Sequence, residues 1–460
     1  MNLGQLRKQA KELVRAARSG DPDALRRLGD LPARLASAQL VLAREQGYTS
    51  WPALVHALEA DVESFVMAAT SGRCQRARHL LDARPEIASD PWARLVLGRG
   101  WDRNVSASGG PRGWAPLLYV TFSCFASLEL ARQLLADGAD PTVTFHNEYG
   151  DMPALYGAAG VVHDPELTEL LLEAGANPND GESLYHSMEA DDPACLRVLL
   201  EHGADPRGTA ALPHAIDYDK LEHVRLLLEA GADPNEGHWA LLVHAVRRGC
   251  GPEMVRLLAD HGAQLDRRGG EWSTPPEEYR TAYQNAVLRG HDDLAGLLAE
   301  LGASTDVAPE DLTVAGLARG ERPAEALPPK LSPDAEEALI LAALRGRLEL
   351  IVEVVGPNFF GHSGGGPPGM LLHHACWIGN PEVVGRLLEL GADPTASGEE
   401  YGPPAVWAAL GSQEGHALPG RDYITVVEQL VAAGAKLENR LIEMADGPLA
   451  DWLEDHVGAA

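Results

Sequence analysis

The sequence is poor in basic residues and in the motifs that mark many enzymes. It has 38 lysines and arginines against 67 aspartates and glutamates, a formal net charge of −29. Such a charge repels phosphate backbones and anionic lipid head groups, which argues against nucleic acids and membranes as partners. The sequence has no HExxH motif, no Walker loop and no Asp-rich calcium loop. We therefore expect no bound metal and no cofactor.

Cysteine is scarce, and long apolar runs are missing. The cysteines form no CxxC pair, so we expect buried thiols in a reduced cytoplasm and neither a disulfide nor a zinc framework. The first twenty residues mix Lys and Arg with apolar residues and lack the apolar core of a signal peptide. No later segment reaches the length of a membrane span. These absences predict a cytoplasmic protein. The five cysteines are Cys74, Cys124, Cys195, Cys250 and Cys376.

The chain instead repeats one phrase four times between residues 154 and 263. The phrase "LLLEAGANPN" at 170–179 returns in altered form, and its glycine falls at Gly175, Gly203, Gly231 and Gly262, at spacings of 28, 28 and 31 residues. An apolar stripe of helical period precedes each glycine, and the glycine suits the left-handed residue that ends a helix. A second, shorter helix precedes each stripe. A fixed period in this range indicates a solenoid of helix-turn-helix units.

These units resemble the ankyrin repeat. The unit ends, such as "LLLEAGADPN" at 226–235, match the family pattern closely, whereas the starts, such as "PALYGAA" and "ALLVHAV", are degraded. The resemblance implies an all-α solenoid of about ten helix-turn-helix repeats. It also implies a scaffold that binds a protein partner through its concave groove and finger loops. Because the family period is about 33 residues, the 28-residue spacings predict trimmed finger loops.

The same alignment divides the chain into five segments. The first resembles a helical lead-in of some bacterial ankyrin-repeat proteins, and both terminal segments are expected to cover the apolar faces that end repeats would expose. The segments are an N-terminal helical cap at 1–61, repeats one to seven at 62–304, a Pro-rich insert with one short helix at 305–334, repeats eight to ten at 335–437 and a C-terminal helical cap at 438–460.

One short motif suggests a hydrolase, but its surroundings favour a loop. Residues 361–365, "GHSGG", fit the GxSxG pattern of a nucleophile elbow, which needs a strand before the serine and a helix after it. Here the preceding "GRLELIVEVV" is the second helix of a repeat, and "GPPG" follows. We therefore interpret the segment as a glycine-rich finger loop.

A column of histidines appears when the repeats are aligned on their first helices. His186, His214 and His244 occupy the same position in three successive repeats. Glu189 and Asp217 follow the first two histidines by three residues, which places each carboxylate on the same helix face as its histidine. A histidine paired with a carboxylate is the arrangement that general acid–base chemistry needs. As an alternative function we therefore consider a small-molecule-binding protein or enzyme with His186, His214, Glu189 and Asp217 as its catalytic residues.

A groove that binds a protein partner and catalyses no reaction also accounts for the histidine column, and we favour this interpretation. Concave faces of repeat proteins are often polar and aromatic because they bind another protein. Two neighbouring histidines can reach one metal ion across adjacent helices, but three cannot. The long loops at 89–114 and 265–281 would form walls beside the column. The predicted binding residues are Tyr119, His186, His214, Tyr218, Trp239, His244, Arg247, Arg248, Asn285, His374 and Trp377.

Overall fold

The structure is a computed structural model that describes most of the chain. The described residues are all those except 1–2, 30, 49–50, 52–53, 56–57, 59–60, 238–239, 271–275, 325, 362–368, 399–400, 414–420, 439, 446 and 457–460. The GxSxG serine and Trp239 therefore lie outside the described residues. The chain divides into two compact units, one formed by residues 53–263 and the other by residues 2–52 together with 264–460.

The unit formed by residues 53–263 consists of short helices in antiparallel pairs, with one β-hairpin. The hairpin strands are Thr144–Asn147 and Gly150–Pro153. A short 3₁₀ segment covers Pro85–Ser89, and the first helices at Ala154–Tyr156 and Ser183–His186 continue as a π turn at Gly157–Val162 and a 3₁₀ turn at Ser187–Glu189. The remaining helices are Val62–Ala69, Cys74–Ala83, Pro91–Val96, Pro116–Thr121, Leu128–Ala136, Pro165–Glu173, Ala194–Glu201, Ala211–Asp217, Leu221–Glu229, Leu241–Arg248 and Pro252–Asp260.

The second unit contains the N-terminal helices and the later repeats. Two short strands, Phe360–Gly361 and Gly369–Met370, pair in it, Pro276–Glu278 forms a 3₁₀ turn, and a kinked turn at Ala343–Arg347 joins two helices. Its helices are Leu3–Arg18, Pro22–Leu28, Leu35–Glu45, Ala282–Leu288, Asp292–Glu300, Pro309–Arg319, Pro333–Ala342, Leu348–Val355, Leu371–Trp377, Pro381–Glu389, Pro404–Gly411, Tyr423–Ala432, Arg440–Met444 and Gly447–His456.

The repeated glycine ends a helix in each of the four copies. Gly175, Gly203, Gly231 and Gly262 have φ values of 104°, 89°, 99° and 88°. A residue with a Cβ atom has a higher conformational free energy in this left-handed backbone than glycine has. The repeated glycine of the sequence therefore has a direct steric cause. Before each glycine the apolar stripe points into the core, where Leu171, Leu199, Leu227 and Leu258 are fully buried. The all-α solenoid predicted from the repeats is confirmed.

The short spacings come from the connections, as predicted. The second helix Pro165–Glu173 and the next first helix, Ser183–His186, are separated by nine residues, and Ala194–Glu201 and Ala211–Asp217 are also nine residues apart. The connection before Ala154–Tyr156 is longer and forms the β-hairpin instead. The hairpin was not predicted, because its strands of four residues are too short to show a period in the sequence.

The expectation that the chain has no disulfide is wrong. Cys74 and Cys124 form a disulfide, whereas Cys195, Cys250 and Cys376 are free and buried, as expected. Cys124 lies close because its backbone N–H donates to the carbonyl of Ala69, 2.9 Å away, next to the helix that begins at Cys74. The two cysteines are 50 residues apart and belong to no motif, so their spacing did not reveal the pair. The cysteines therefore no longer support a cytoplasmic location, and that location stays a prediction.

The terminal helices belong to the second unit. Leu35–Glu45 packs against Gly447–His456, which also contacts Tyr423–Ala432 of the last helix pair. In the 305–334 insert the expected short helix is present as Pro309–Arg319, with Val314 and Leu317 buried against neighbouring helices. The capping roles expected for 1–61 and 438–460 stay predictions. In the described part of the chain, no helix combines the length and apolar character that a membrane crossing needs.

Candidate functional site

Three first helices in the unit formed by residues 53–263 bring the predicted histidines together. His186 ends Ser183–His186, His214 lies in Ala211–Asp217, and His244 lies in Leu241–Arg248. The imidazole rings of His186 and His214 are 6.4 Å apart between centroids and nearly perpendicular. The alignment that placed the three histidines in one column is therefore supported by the positions of their helices.

The carboxylates that follow these histidines join them into one chain of contacts. The Nδ1 atom of His186 lies 2.7 Å from Oε1 of Glu189, and Nε2 of His214 lies 3.4 Å from the same oxygen. Asp217 continues the chain, with its Oδ2 3.8 Å from Nδ1 of His214 and its Oδ1 2.8 Å from Nε2 of His244. We call His186, Glu189, His214, Asp217 and His244 the histidine stripe.

A carboxylate lies at one end of the histidine stripe and a guanidinium lies at the other. At one end, Oε2 of Glu182 lies 3.4 Å from Nε2 of His186. At the other, Nε of Arg248 donates to Oδ1 of Asp217 over 2.7 Å. Asp217 therefore contacts two imidazoles and a guanidinium, whereas the contacts of Glu189 within the described residues are with the two imidazoles of His186 and His214. The neighbouring Arg247 is partly buried on the same helix.

Three tyrosines pack along the histidine stripe. Tyr185 stacks on His214 of the next repeat, with ring centroids 3.8 Å apart and planes at 12°. Tyr156 packs against His186 at 4.7 Å, and Tyr218 meets His214 edge-on at 5.1 Å. Tyr156 and Tyr185 each contact the histidine of the following repeat, whereas Tyr218 contacts the histidine of its own repeat, and flat aromatic surfaces restrict how the imidazoles can turn.

The imidazoles of His214 and His244 are mostly buried, whereas the carboxylates of the histidine stripe are partly exposed to solvent. The side chains of His214 and His244 are 13% and 11% exposed, whereas those of Glu189 and Asp217 are 33% and 31% exposed. Tyr218 is 42% exposed. A partner that approached this face would therefore meet carboxylate oxygens and a tyrosine ring first.

The electrostatics of the histidine stripe favour ionised carboxylates. Burial raises the pKa of Glu189, but the hydrogen bonds from His186 and His214 outweigh it and bring this pKa down to about 2. Burial also raises the pKa of Asp217, and its contacts with His214 and His244 lower it far more. Both groups are therefore anions at neutral pH.

The pKa of His214 is raised above its ordinary value. Burial lowers it, but the contacts with Asp217 and Glu189 together have the larger effect. A neutral imidazole has only one N–H to donate, and both carboxylates can only accept, so the protonated ring satisfies this position best.

An aromatic cluster connects the start of the histidine stripe to the loop at 89–114. Trp114, at the end of this loop, stacks on Phe145 of the hairpin at 4.2 Å and packs against Phe122 at 5.5 Å. Phe122 in turn meets Tyr156 edge-on at 5.5 Å. Gly157 allows this approach, because a Cβ atom there would lie 2.6 Å from the Phe122 ring. The predicted wall at 265–281 belongs to the other unit, and its residues 271–275 lie outside the described residues.

The other predicted binding residues are mostly enclosed. Tyr119 is fully buried, and its hydroxyl donates to the carbonyl of Gly109 at 2.8 Å. Asn285 and His374 are buried in the second unit, where their side chains contact the carbonyls of Thr281 and Gly361 at 3.1 Å. These three side chains support the structure beneath the surface, and we leave them out of the proposed binding face. Trp377 of the second unit is partly buried, with its ring 6.1 Å from that of Trp407.

One contact of the histidine stripe was missed in the sequence. Glu182 precedes His186 by four residues, and a search at i−4 as well as i+3 would have found it. Tyr185 stands at the position that the repeat pattern usually gives to histidine, and from there it reaches His214 of the next repeat. Among the described residues, no group of three or more His, Cys, Asp or Glu side chains is arranged to hold a metal ion.

A cavity of about 340 Å³ lies beside the stripe-bearing helices without including the histidines. It is formed where two successive connections meet, around Pro206–Pro213 and around Ala232–Gly237 with Leu241. The charged groups among its lining residues are Asp233 and Glu236. Glu236 accepts a hydrogen bond from the backbone N–H of Gly208 at 2.8 Å. This contact ties the two connections together.

Comparison with known families identifies the helix-turn-helix units. A family model of three ankyrin repeats matches residues 155–238, which carry most of the histidine stripe, and a model of one ankyrin repeat matches residues 371–399. The chain therefore contains ankyrin repeats, and the resemblance noted in its sequence is confirmed. Ankyrin repeats generally act as scaffolds for protein–protein interaction.

Solved structures of ankyrin-repeat domains resemble parts of the chain. The human ASB11 ankyrin repeat domain is 20% identical, with a TM-score of 0.36, over 52% of this chain and 98% of the other. The ankyrin repeat domain of Bcl-3, a member of the IkappaB protein family, is 27% identical, with a TM-score of 0.32, over 39% of this chain and 82% of the other. No curated protein matches the chain.

Proposed function

We propose that this protein is a scaffold that binds a protein partner through the groove lined by its first helices, with the histidine stripe at the centre of the contact. The observation that carries the proposal is the network of contacts between successive repeats. Glu189 joins His186 to His214, and Asp217 joins His214 to His244. A surface ordered in advance loses less conformational entropy when a partner binds, so it favours affinity.

The finger-loop side of the proposed surface includes the β-hairpin. Tyr149 stands at the hairpin turn and is 82% exposed. The side chain of Asn147 fixes this turn by accepting hydrogen bonds from the backbone N–H groups of Tyr149 and Gly150 at 2.8 and 3.1 Å. Tyrosine is enriched among the residues that dominate the energetics of protein interfaces, so Tyr149 is a candidate contact for the partner.

Site-specific photocrosslinking tests this proposal. A benzophenone amino acid replaces Tyr218 in the full chain, and a control chain carries it at Arg225, whose side chain is 43% exposed on the second helix Leu221–Glu229 of the same repeat. We expect a defined crosslinked protein from position 218 that is absent from position 225. Equal products from both positions, or none from position 218, would overturn the proposal.

The contacts of His214 support acid–base chemistry on a small molecule as a second candidate function. A histidine held between two carboxylates has its protonation state set by them, which is what a general acid or base needs. Melting temperatures measured with a panel of small metabolites test this candidate. A compound that stabilises the wild type and has no effect on a folded His214→Ala variant would support it, whereas equal stabilisation of both proteins by every active compound would exclude this role for His214.

A further inference from the structure

We infer that the Glu182 end of the histidine stripe receives a lysine or arginine side chain from the partner. This inference rests on the proposed function and names the chemistry of the partner segment. The residues concerned are Glu182 and Glu189 with Tyr156, Tyr185 and Tyr218. We call these five residues the cation site.

The two carboxylates of the cation site keep oxygen atoms for an external donor. Both imidazole contacts of Glu189 are made by Oε1, and the contact of Glu182 with His186 is made by Oε2. Oε2 of Glu189 and Oε1 of Glu182 take no part in these contacts. The side chains are 33% and 31% exposed, so a cationic group can reach them from solvent. Asp217 differs, because its two oxygens already meet His214, His244 and Arg248.

The tyrosines supply ring faces and hydroxyl groups beside these carboxylates. A cationic side chain gains from the face of an aromatic ring as well as from an anion, and Tyr218 is the most accessible ring here. Within the described residues, the hydroxyl groups of Tyr156, Tyr185 and Tyr218 form no hydrogen bond with the protein, so they remain acceptors. Burial is the main reason that their pKa values are raised, and the charge of Glu189 adds to the effect at all three.

Lys220 pairs with Asp191 and Arg248 pairs with Asp217, both outside the cation site. The protonated His214 contacts Glu189 through Oε1 and leaves Oε2 of that carboxylate to an external cation. The net charge of −29 would attract a basic segment over a longer range and repel an acidic one. The complementary partner is therefore a protein segment with exposed lysine or arginine.

Isothermal titration with model peptides tests the inference on the full chain. The probe is a capped octapeptide of alternating lysine and serine, and the matched peptide alternates glutamate and serine. We expect binding of the lysine peptide alone, and we expect Glu182→Gln, Glu189→Gln and Tyr218→Leu each to weaken it about fivefold, as the loss of one partly exposed contact with a cation does. Circular dichroism confirms that each variant is folded.

A matched acidic residue outside the cation site separates specific binding from general attraction. Glu201 is an exposed carboxylate at the end of the second helix Ala194–Glu201, and Glu201→Gln should leave the affinity unchanged. Equal weakening by Glu201→Gln and Glu182→Gln, or binding of the glutamate peptide, would overturn the inference. If position 218 still gives its defined crosslink in that case, the proposed function stands and only the cationic specificity fails.

Discussion

Replacing Glu189 with glutamine removes the carboxylate that two imidazoles share. The pKa of this group falls from 4.5 to about 2 in the folded protein, which corresponds to about 3 kcal/mol at about 1.4 kcal/mol per pH unit. Because the side chain is 33% exposed, solvent screening reduces this figure to about 1–2 kcal/mol. We therefore expect Glu189→Gln to lower the free energy of unfolding by about 1–2 kcal/mol.

The size of this loss should depend on pH in a defined way. A carboxylate with a lowered pKa stabilises the fold above its unfolded pKa, so the contribution of Glu189 is lost as the pH falls from 4.5 towards 2. A histidine with a raised pKa stabilises the fold below its unfolded pKa, so the contribution of the charged His214 is lost as the pH rises from 6.5 through its folded value. The difference between wild type and variant should be largest between pH 4.5 and 6.5.

Urea unfolding at several pH values and a proton NMR titration of the histidines measure these effects. The NMR titration should show the pKa of His214 above 6.5 in the wild type and lower in Glu189→Gln, because burial then opposes the charge with one carboxylate fewer. Glu182→Gln is the matched control, since Glu182 contacts His186 and should leave the titration of His214 unchanged. An unchanged pKa of His214 in Glu189→Gln, or a stability difference independent of pH, would refute the reasoning.

Three further predictions concern the scaffold. Leu227→Ala, at a fully buried position, should cost about 2–5 kcal/mol in urea unfolding, whereas Leu312→Ala, where the side chain is 51% exposed, should stay within about 0.5 kcal/mol; similar losses would show that the helix register is wrong. Reduction of the Cys74–Cys124 disulfide should cost about 2–4 kcal/mol, and a wild type that is equally stable with and without reductant would contradict this. Gly231→Ala should cost about 1–2 kcal/mol because φ is 99° there, and an equal melting temperature would argue against that backbone.

The helical repeats could be predicted because each copy carries its own local signals. The apolar stripe ending at Leu227 and Leu228 and the left-handed Gly231 act within a few residues, so the sequence alone indicates the helix and its end. The trimmed connections followed from the same spacing. The hairpin strands are too short to show a period, and the Cys74–Cys124 pair depends on a contact between segments 50 residues apart, for which the sequence has no comparable pattern.

The residues of the candidate site could be predicted from the sequence, but the contacts of its carboxylates between repeats could not. Repetition placed His186, His214 and His244 in one column, and spacing along one helix placed Glu189 beside His186. The contact of Glu189 with His214, 25 positions further on, depends on how closely two repeats pack. Tyr119 shares the alignment position of the histidines and is nevertheless buried, because the 89–114 loop covers it through Gly109 and Arg112. Alignment gives position along the repeat, whereas exposure depends on the loops.

Hydrogen exchange of the full chain, alone and with the protein identified by crosslinking at position 218, tests the central claim most directly. Binding through the groove should slow exchange of backbone amides in the first helices Ser183–His186 and Ala211–Asp217, including the 3₁₀ turn at Ser187–Glu189. The second helices Ala194–Glu201 and Leu221–Glu229 should change less. Protection confined to these second helices, with the first helices unaffected, would contradict a partner site at the histidine stripe.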